Sequence, residues 1–320
     1  LYSFSALLKG AEWDKDFTAV YYAYSLDQIA YPSTKLIYYY PQLLKALTAI
    51  AYYFELLVPV LFFAPIFNSQ CRLIAGFSIV SFHLFNGMML QIGLFFVVGI
   101  VSAIGVLPAE FFDLLEKRMK RLIQKMKLIF AALARILIVV KTIEWKTFFS
   151  ANIKSRLSFG LVLVSLVYVF LWNVSNLTFS PYKMTASMRT VGYFLRFDQN
   201  WGMFAPGVIK DNGWYILEGT LANGKKIDLW QDGRELTYKK PRSVVAMFPN
   251  DRWRKYGENM MLQRNASMRG YFCNYSMRIW NEQHPKQMVQ SLKVVYMYQL
   301  TQADYKVQVP KRELLCGCGK

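Results

Sequence analysis

Two stretches, 44–67 and 157–177, are long and apolar enough to cross a bilayer, and they confine this chain to membrane architectures. Roughly 20 apolar residues suffice, because an α-helix pairs its own backbone donors and acceptors inside hydrocarbon. The stretch 157–177 carries no charged side chain, whereas 44–67 carries Lys45 near its start and Glu55 near its middle. Two further apolar runs, 72–90 and 92–107, read as additional spans. Gln91 lies between them, so they form one bent unit or a tight re-entrant pair. Residues 1–8 look like the tail of an interrupted span. Leu1 opens inside an apolar run, with no basic n-region or small-residue cleavage site, and the reading is a truncation and not a signal peptide.

Between these runs the chain changes character. The stretch 9–41 is polar and aromatic, with helical patches but too many acids to cross. Its tyrosines and Trp13 suit the headgroup level, where amphipathic rings are stable. Residues 116–156 are rich in Lys and Arg, with Glu116 and Glu144 as the only acids. The dense part is Lys117, Arg118, Lys120, Arg121, Lys125 and Lys127. A formal net charge of +18 would suggest nucleic acid in a soluble protein. Beside membrane spans, and without a nucleic-acid motif, anionic lipid headgroups explain the run more simply. The positive-inside rule places 116–156 in the cytoplasm. Within it, 128–140 is an interfacial amphipathic helix or a poorly marked span. If 157–177 then crosses once, residues 178–320 lie on the periplasmic or extracellular face.

That C-terminal part reads as a small polar α+β domain, so the organisation expected is a helical membrane domain, 1–177, followed by 178–320. Strands are expected at 214–221 and 225–230, flanking an Asn223-Gly224 hairpin turn, because both central positions of such a turn favour φ > 0. The alternation in 291–300 marks another strand, and 251–281 reads as helical. Four cysteines, Cys71, Cys273, Cys316 and Cys318, are too few and uneven for a disulfide framework. Cys316-x-Cys318 reads as an incidental pair, with a metal or redox role the alternative. Two histidines supply a zinc site poorly, and no metal is expected. No phosphate loop, nucleophile elbow or HExxH motif occurs, which takes support from ATP-driven transport and the common hydrolases.

Ionisable groups at membrane depth are costly and mark functional hypotheses. Lys9 follows the apolar run YSFSALL. A desolvated lysine can act as a base near neutral pH, and the alternative is a side chain snorkelling at a helix end. Glu55 sits mid-span, where it faces the bundle interior, is protonated, or pairs with a cation. His83 and Asn86 lie three apart on one helix face, able to bind a polar ligand group or simply to hydrogen-bond between helices. His284, in a polar stretch before Pro285, reads as solvated.

The blocks KGAEWDKDFTAVYYAYSLDQIAYP, YFELLVPVLFF and FHLFNGMMLQIGLFFVVGI, in that order, resemble the HTTM membrane domain shared with the vitamin K-dependent γ-carboxylases. The most specific piece is Phe82-His83-x-x-Asn86 followed by Ile92-Gly93-x-Phe95. QNWGMFAPG, GWYILEG and DRWRKYG resemble the polar tail of bacterial HTTM proteins. The resemblance implies a polytopic helical bundle in a bacterial inner membrane. It further implies a vitamin K or menaquinone hydroquinone as cofactor, with O2 and CO2, and a peptide or protein substrate. In the animal enzyme a lysine before the corresponding Trp deprotonates the hydroquinone, oxygen gives an epoxide through a strong base, and a glutamate is carboxylated. Lys9 matches that lysine by position, although here Leu8 precedes it and the Lys–Trp spacing is one residue shorter. Trp13 would pack on the quinone ring, with Glu55, His83 and Asn86 lining the pocket. The alternative is a non-catalytic anchor whose C-terminal domain binds an envelope partner. A transporter has least support, since no inverted repeat is visible.

Overall fold

The computed structural model describes residues 1–130, 153–306 and 308–319. Its elements run α1 (Tyr2–Leu7), α2 (Ala11–Asp14), α3 (Ala19–Ser25), α4 (Lys35–Tyr38), α5 (Pro41–Phe62), α6 (Asn68–Met89), α7 (Phe95–Ile104), α8 (Ala109–Phe130), α9 (Ile153–Asn176) and α10 (Ala186–Leu195). Then follow β1 (Asp211–Leu221), β2 (Lys226–Asp228), β3 (Arg234–Glu235), α11 (Asp251–Met261), α12 (Ser267–Gln283), β4 (Val289–Leu300) and β5 (Lys311–Gly319). Among the described residues, three helices are long and apolar enough to cross a membrane: α5, α6 and the Ser158–Asn176 part of α9.

The expected span 92–107 is different. Its helix, α7, has 10 residues and meets α8 at a 92° bend, so the two make at most one broken span. Pro108 lies at that bend, and a residue before proline is pushed out of the helical region. The chain on the other side of α7 turns at Gly93, whose φ of +62° suits glycine. Of the ambiguous 128–140, residues 128–130 close α8 and the remainder lies outside the described residues.

Two compact units are present, each assembled from separate stretches of chain. The first comprises Leu1–Lys9, Tyr52–Ile79 and Ser102–Pro206. Its helices expose Leu57, Val60, Phe159, Leu161 and Val164, the outward apolar surface a lipid-facing helix needs. Arg72 Nε donates to Val106 O at 2.9 Å, satisfying a carbonyl just past the end of α7. Lys183 Nζ does the same for α9, donating to Ser175 O at 3.2 Å and Leu177 O at 2.7 Å, where a cation also suits the helix dipole.

The second unit comprises Gly10–Ala51, Val80–Val101 and Gly207–Lys320. It holds a five-stranded antiparallel sheet in the order β3-β2-β1-β4-β5. One face packs Tyr215, Leu217, Val294 and Tyr296 against Met260, Phe272 and Trp280 of α11 and α12, and the other buries Trp214, Ile216 and Val295 with Val244. Both faces of the centre are therefore covered, and β1 is buried along almost its whole length. The strands expected at 214–221 and 291–300 are present, whereas of 225–230 only Lys226–Asp228 is strand and Leu229–Gln231 is a 3-10 turn. The expected helix 251–281 is two helices, broken at 262–266. The hairpin also differs in type. Only Gly224 of the Asn-Gly pair has positive φ, at +78°, and Gly224 N donates to Leu221 O at 2.9 Å. Asn223 instead uses Oδ1 to accept Lys225 N at 3.0 Å.

Cysteine usage is a correction to the sequence reading. Cys273 of α12 and Cys318 of β5 form a disulfide, while Cys71 and Cys316 are free thiols. A single bridge fastening one helix to one strand needs no framework, which is why the count misled. The aromatic stretch 9–41 forms the short helices α2, α3 and α4, with Tyr21, Tyr22 and Tyr24 buried in protein while Tyr39 and Tyr40 are exposed.

Candidate functional site

In the first unit, α1 ends at Leu7 and the backbone tightens so that Lys9 N donates to Ala6 O at 3.1 Å. This turn directs Lys9 onto α5. Its Nζ donates to Glu55 Oε2 at 2.5 Å, with the two side chains 2% and 11% exposed. Sequence reasoning singled out both residues separately, and the fold makes them one buried pair. The same unit holds two edge-on ring contacts, Tyr2 with Phe54 at 6.1 Å and Phe4 with Phe170 at 5.7 Å. A buried amine and carboxylate in mutual contact offset part of one another's desolvation cost.

The other sequence candidates belong to the second unit. Trp13, on α2, is buried. Its neighbour Glu12 accepts Val208 N at 2.8 Å and pairs with Lys210 at 2.9 Å, fixing the start of the segment that leads into β1. His83 is among the most buried side chains of the chain, at 1% exposure. Its ring lies against Gly99 so closely that a Cβ there would fall 2.3 Å from it, and Phe95 packs edge-on at 5.3 Å. Asn86, one turn on, donates its amide to Phe82 O of its own helix at 2.9 Å. His284 stacks on Trp280 with ring centroids 3.8 Å apart, more enclosed than its polar neighbourhood suggested.

Among the described residues, no three His, Cys, Asp or Glu side chains are grouped to hold a metal ion. No family model, no curated protein and no solved structure matches the chain.

Several polar groupings escaped the sequence reading because their members are far apart in the chain. Asp27 pairs with Lys240 and Lys35 and accepts Asn212 Nδ2 at 3.0 Å, all within the second unit. Burial opposes ionisation of Asp27, but Lys240, Asn212 and Lys35 outweigh it and hold the carboxyl below the usual carboxylate range. Cys-x-Cys did carry a usable signal: on a strand, residues two apart face the same way, so Cys318 and Cys316 both meet the helix that carries Cys273.

Proposed function

We propose that this chain is a membrane protein of the HTTM class whose helices carry a proton-transfer site centred on Lys9, acting on a lipid-soluble hydroquinone. The observation that carries this reading is the buried Lys9–Glu55 pair. Such a pair fits a hydroquinone by chemistry, since a weak O–H acid needs a desolvated amine as its partner and an apolar, aromatic surrounding for its ring. Bound there, the hydroquinone would supply the reducing equivalents for reaction with O2. Lys9 would receive the hydroxyl proton at Nζ after passing its own to Glu55, so that Glu55 sets how often the amine is neutral. The cytoplasmic membrane of a bacterium is the matching location. The disulfide-bearing sheet would lie on its outer side, because such bridges persist in oxidising compartments.

The test uses purified protein in lipid with reduced menaquinone or vitamin K, oxygen and bicarbonate. Wild type is expected to form the quinone epoxide, Lys9→Ala to form none, and Glu55→Gln to be slowed at least about tenfold. Absence of epoxide from folded wild type sinks the hydroquinone reading. It would leave the anchor reading, which the disulfide-stapled sheet favours as a stable binding module.

A further inference from the structure

The last turns of α9 exchange the Leu and Val of the span for Trp172, Asn173, Ser175 and Asn176, making the polar end of a candidate membrane helix. These side chains fix the segment that returns to them. Trp172 Nε1 and Asn176 Nδ2 donate to Gln199 O at 2.9 and 3.0 Å, while Asn173 Nδ2 and Trp201 Nε1 donate to Gln199 Oε1 at 3.0 and 2.9 Å. Both acceptors of Gln199 are thus held by α9 or by its own loop, and Asp198 is set beside a cleft of about 440 Å³. Arg189 of α10 lines the same cleft. Its guanidinium lies 5.0 Å over the Trp172 ring, and Nη2 donates to Ser175 Oγ at 2.8 Å and Asn176 Oδ1 at 3.2 Å. These partners are neutral. Among the described residues neither Arg189 nor Asp198 takes part in an ion pair, although both line the same cleft.

We propose that this cleft is a headgroup site for a zwitterionic glycerophospholipid of the aminoethyl phosphate class, its phosphate held by Arg189 and its ammonium by Asp198. A guanidinium presents a planar fork that matches phosphate oxygens, and Trp172 keeps its plane oriented. A single cation and a single anion that do not neutralise one another suit a ligand carrying both charges. The lipid source, as against a soluble phosphoester, follows from the surroundings. The cleft closes the end of a span, and α10 exposes Val191, Phe194 and Leu195, with Phe194 85% exposed. That is the pattern of a helix lying at the membrane surface with acyl chains beside it. Leu8, the residue before Lys9, is among the cleft's lining, and Lys9 itself is not.

Native mass spectrometry of the full chain in detergent, titrated with phosphatidylethanolamine, phosphatidylglycerol and chain-free glycerophosphoethanolamine, tests this. Phosphatidylethanolamine is expected to bind about tenfold more tightly than phosphatidylglycerol. R189Q should weaken both lipids about tenfold, and D198N should remove the preference between them. Because Arg189 also bonds α9, R189Q risks the fold; Asp198 is exposed, so D198N carries the decision. Equal binding of the two lipids by wild type, or an unchanged preference in D198N, overturns the proposal. Glycerophosphoethanolamine competing as well as the intact lipid overturns the lipid assignment in favour of a soluble phosphoester.

Discussion

Lys9 and Glu55 lie 46 residues apart in sequence and meet with almost no solvent around them. Taking two charges out of water costs several kcal/mol each, and only close pairing offsets it. Removing one partner leaves the other stranded, so Lys9→Met and Glu55→Met should each lower stability by roughly 3–5 kcal/mol, while the double variant recovers most of the loss. Unfolding in lipid or mixed micelles measures this. Single variants as stable as wild type would mean the pair carries no charge. The cycle also separates structure from catalysis, since a stable double variant without epoxidation keeps the pair's chemical role. Each residue was legible alone, because an ionisable group in an apolar run is conspicuous. Their pairing was not, since nothing local to YSFSALLK or YYFELL encodes a partner in the other segment. His83 and Asn86 show the converse: the i, i+3 spacing was visible, but the amide bonds backward along its own helix, which spacing does not specify.

Elements were read best where a period was long and unbroken. β1 and β4 alternate or run apolar over many residues and were found, whereas β5, KRELLCGCG, has a weak pattern and was passed over. Between α11 and α12 the stretch QRNA lacks glycine and proline, so the break there left little local trace. β1 also carries a charge where its pattern suggests none. Glu218, with its side chain 2% exposed, pairs with Lys226 at 2.8 Å and Arg312 at 3.0 Å and accepts Tyr238 Oη at 2.7 Å. Burial works against its ionised form, but Lys226, Tyr238 and Arg312 prevail and hold its carboxyl below the ordinary value of 4.5. A depressed acid contributes stability that is present above its unfolded value and is lost as pH falls through the folded one. Wild type should therefore lose stability as pH drops below about 4.5, and Glu218→Gln should give a shallower profile over that window. Parallel profiles would show that this carboxylate is not the group responsible.

For the molecule as a whole, the disulfide is the feature that composition concealed. Cys273 and Cys318 are 45 residues apart, and closing that loop restricts the unfolded chain. Reduction should cost about 2–4 kcal/mol, lowering the denaturation midpoint of wild type and leaving Cys318→Ser unmoved. A wild-type midpoint indifferent to reductant would show that the two sulfurs are not joined. The helices of spanning length were legible from the outset, because runs of roughly 20 apolar residues stand out in the sequence. The composition of the compact units was not. Each unit gathers stretches that α5, α6 and α7 carry through, and hydropathy records length and polarity but not where a helix finds its neighbours. One further consequence lies in β5. Among the described residues it is an edge of the sheet, paired with β4 alone, and its first residues Lys311, Arg312 and Glu313 are exposed. An open strand invites another copy to add its own, and charged side chains along that edge are what discourages it. Two copies meeting edge to edge would have to bury those charges before their strands could pair.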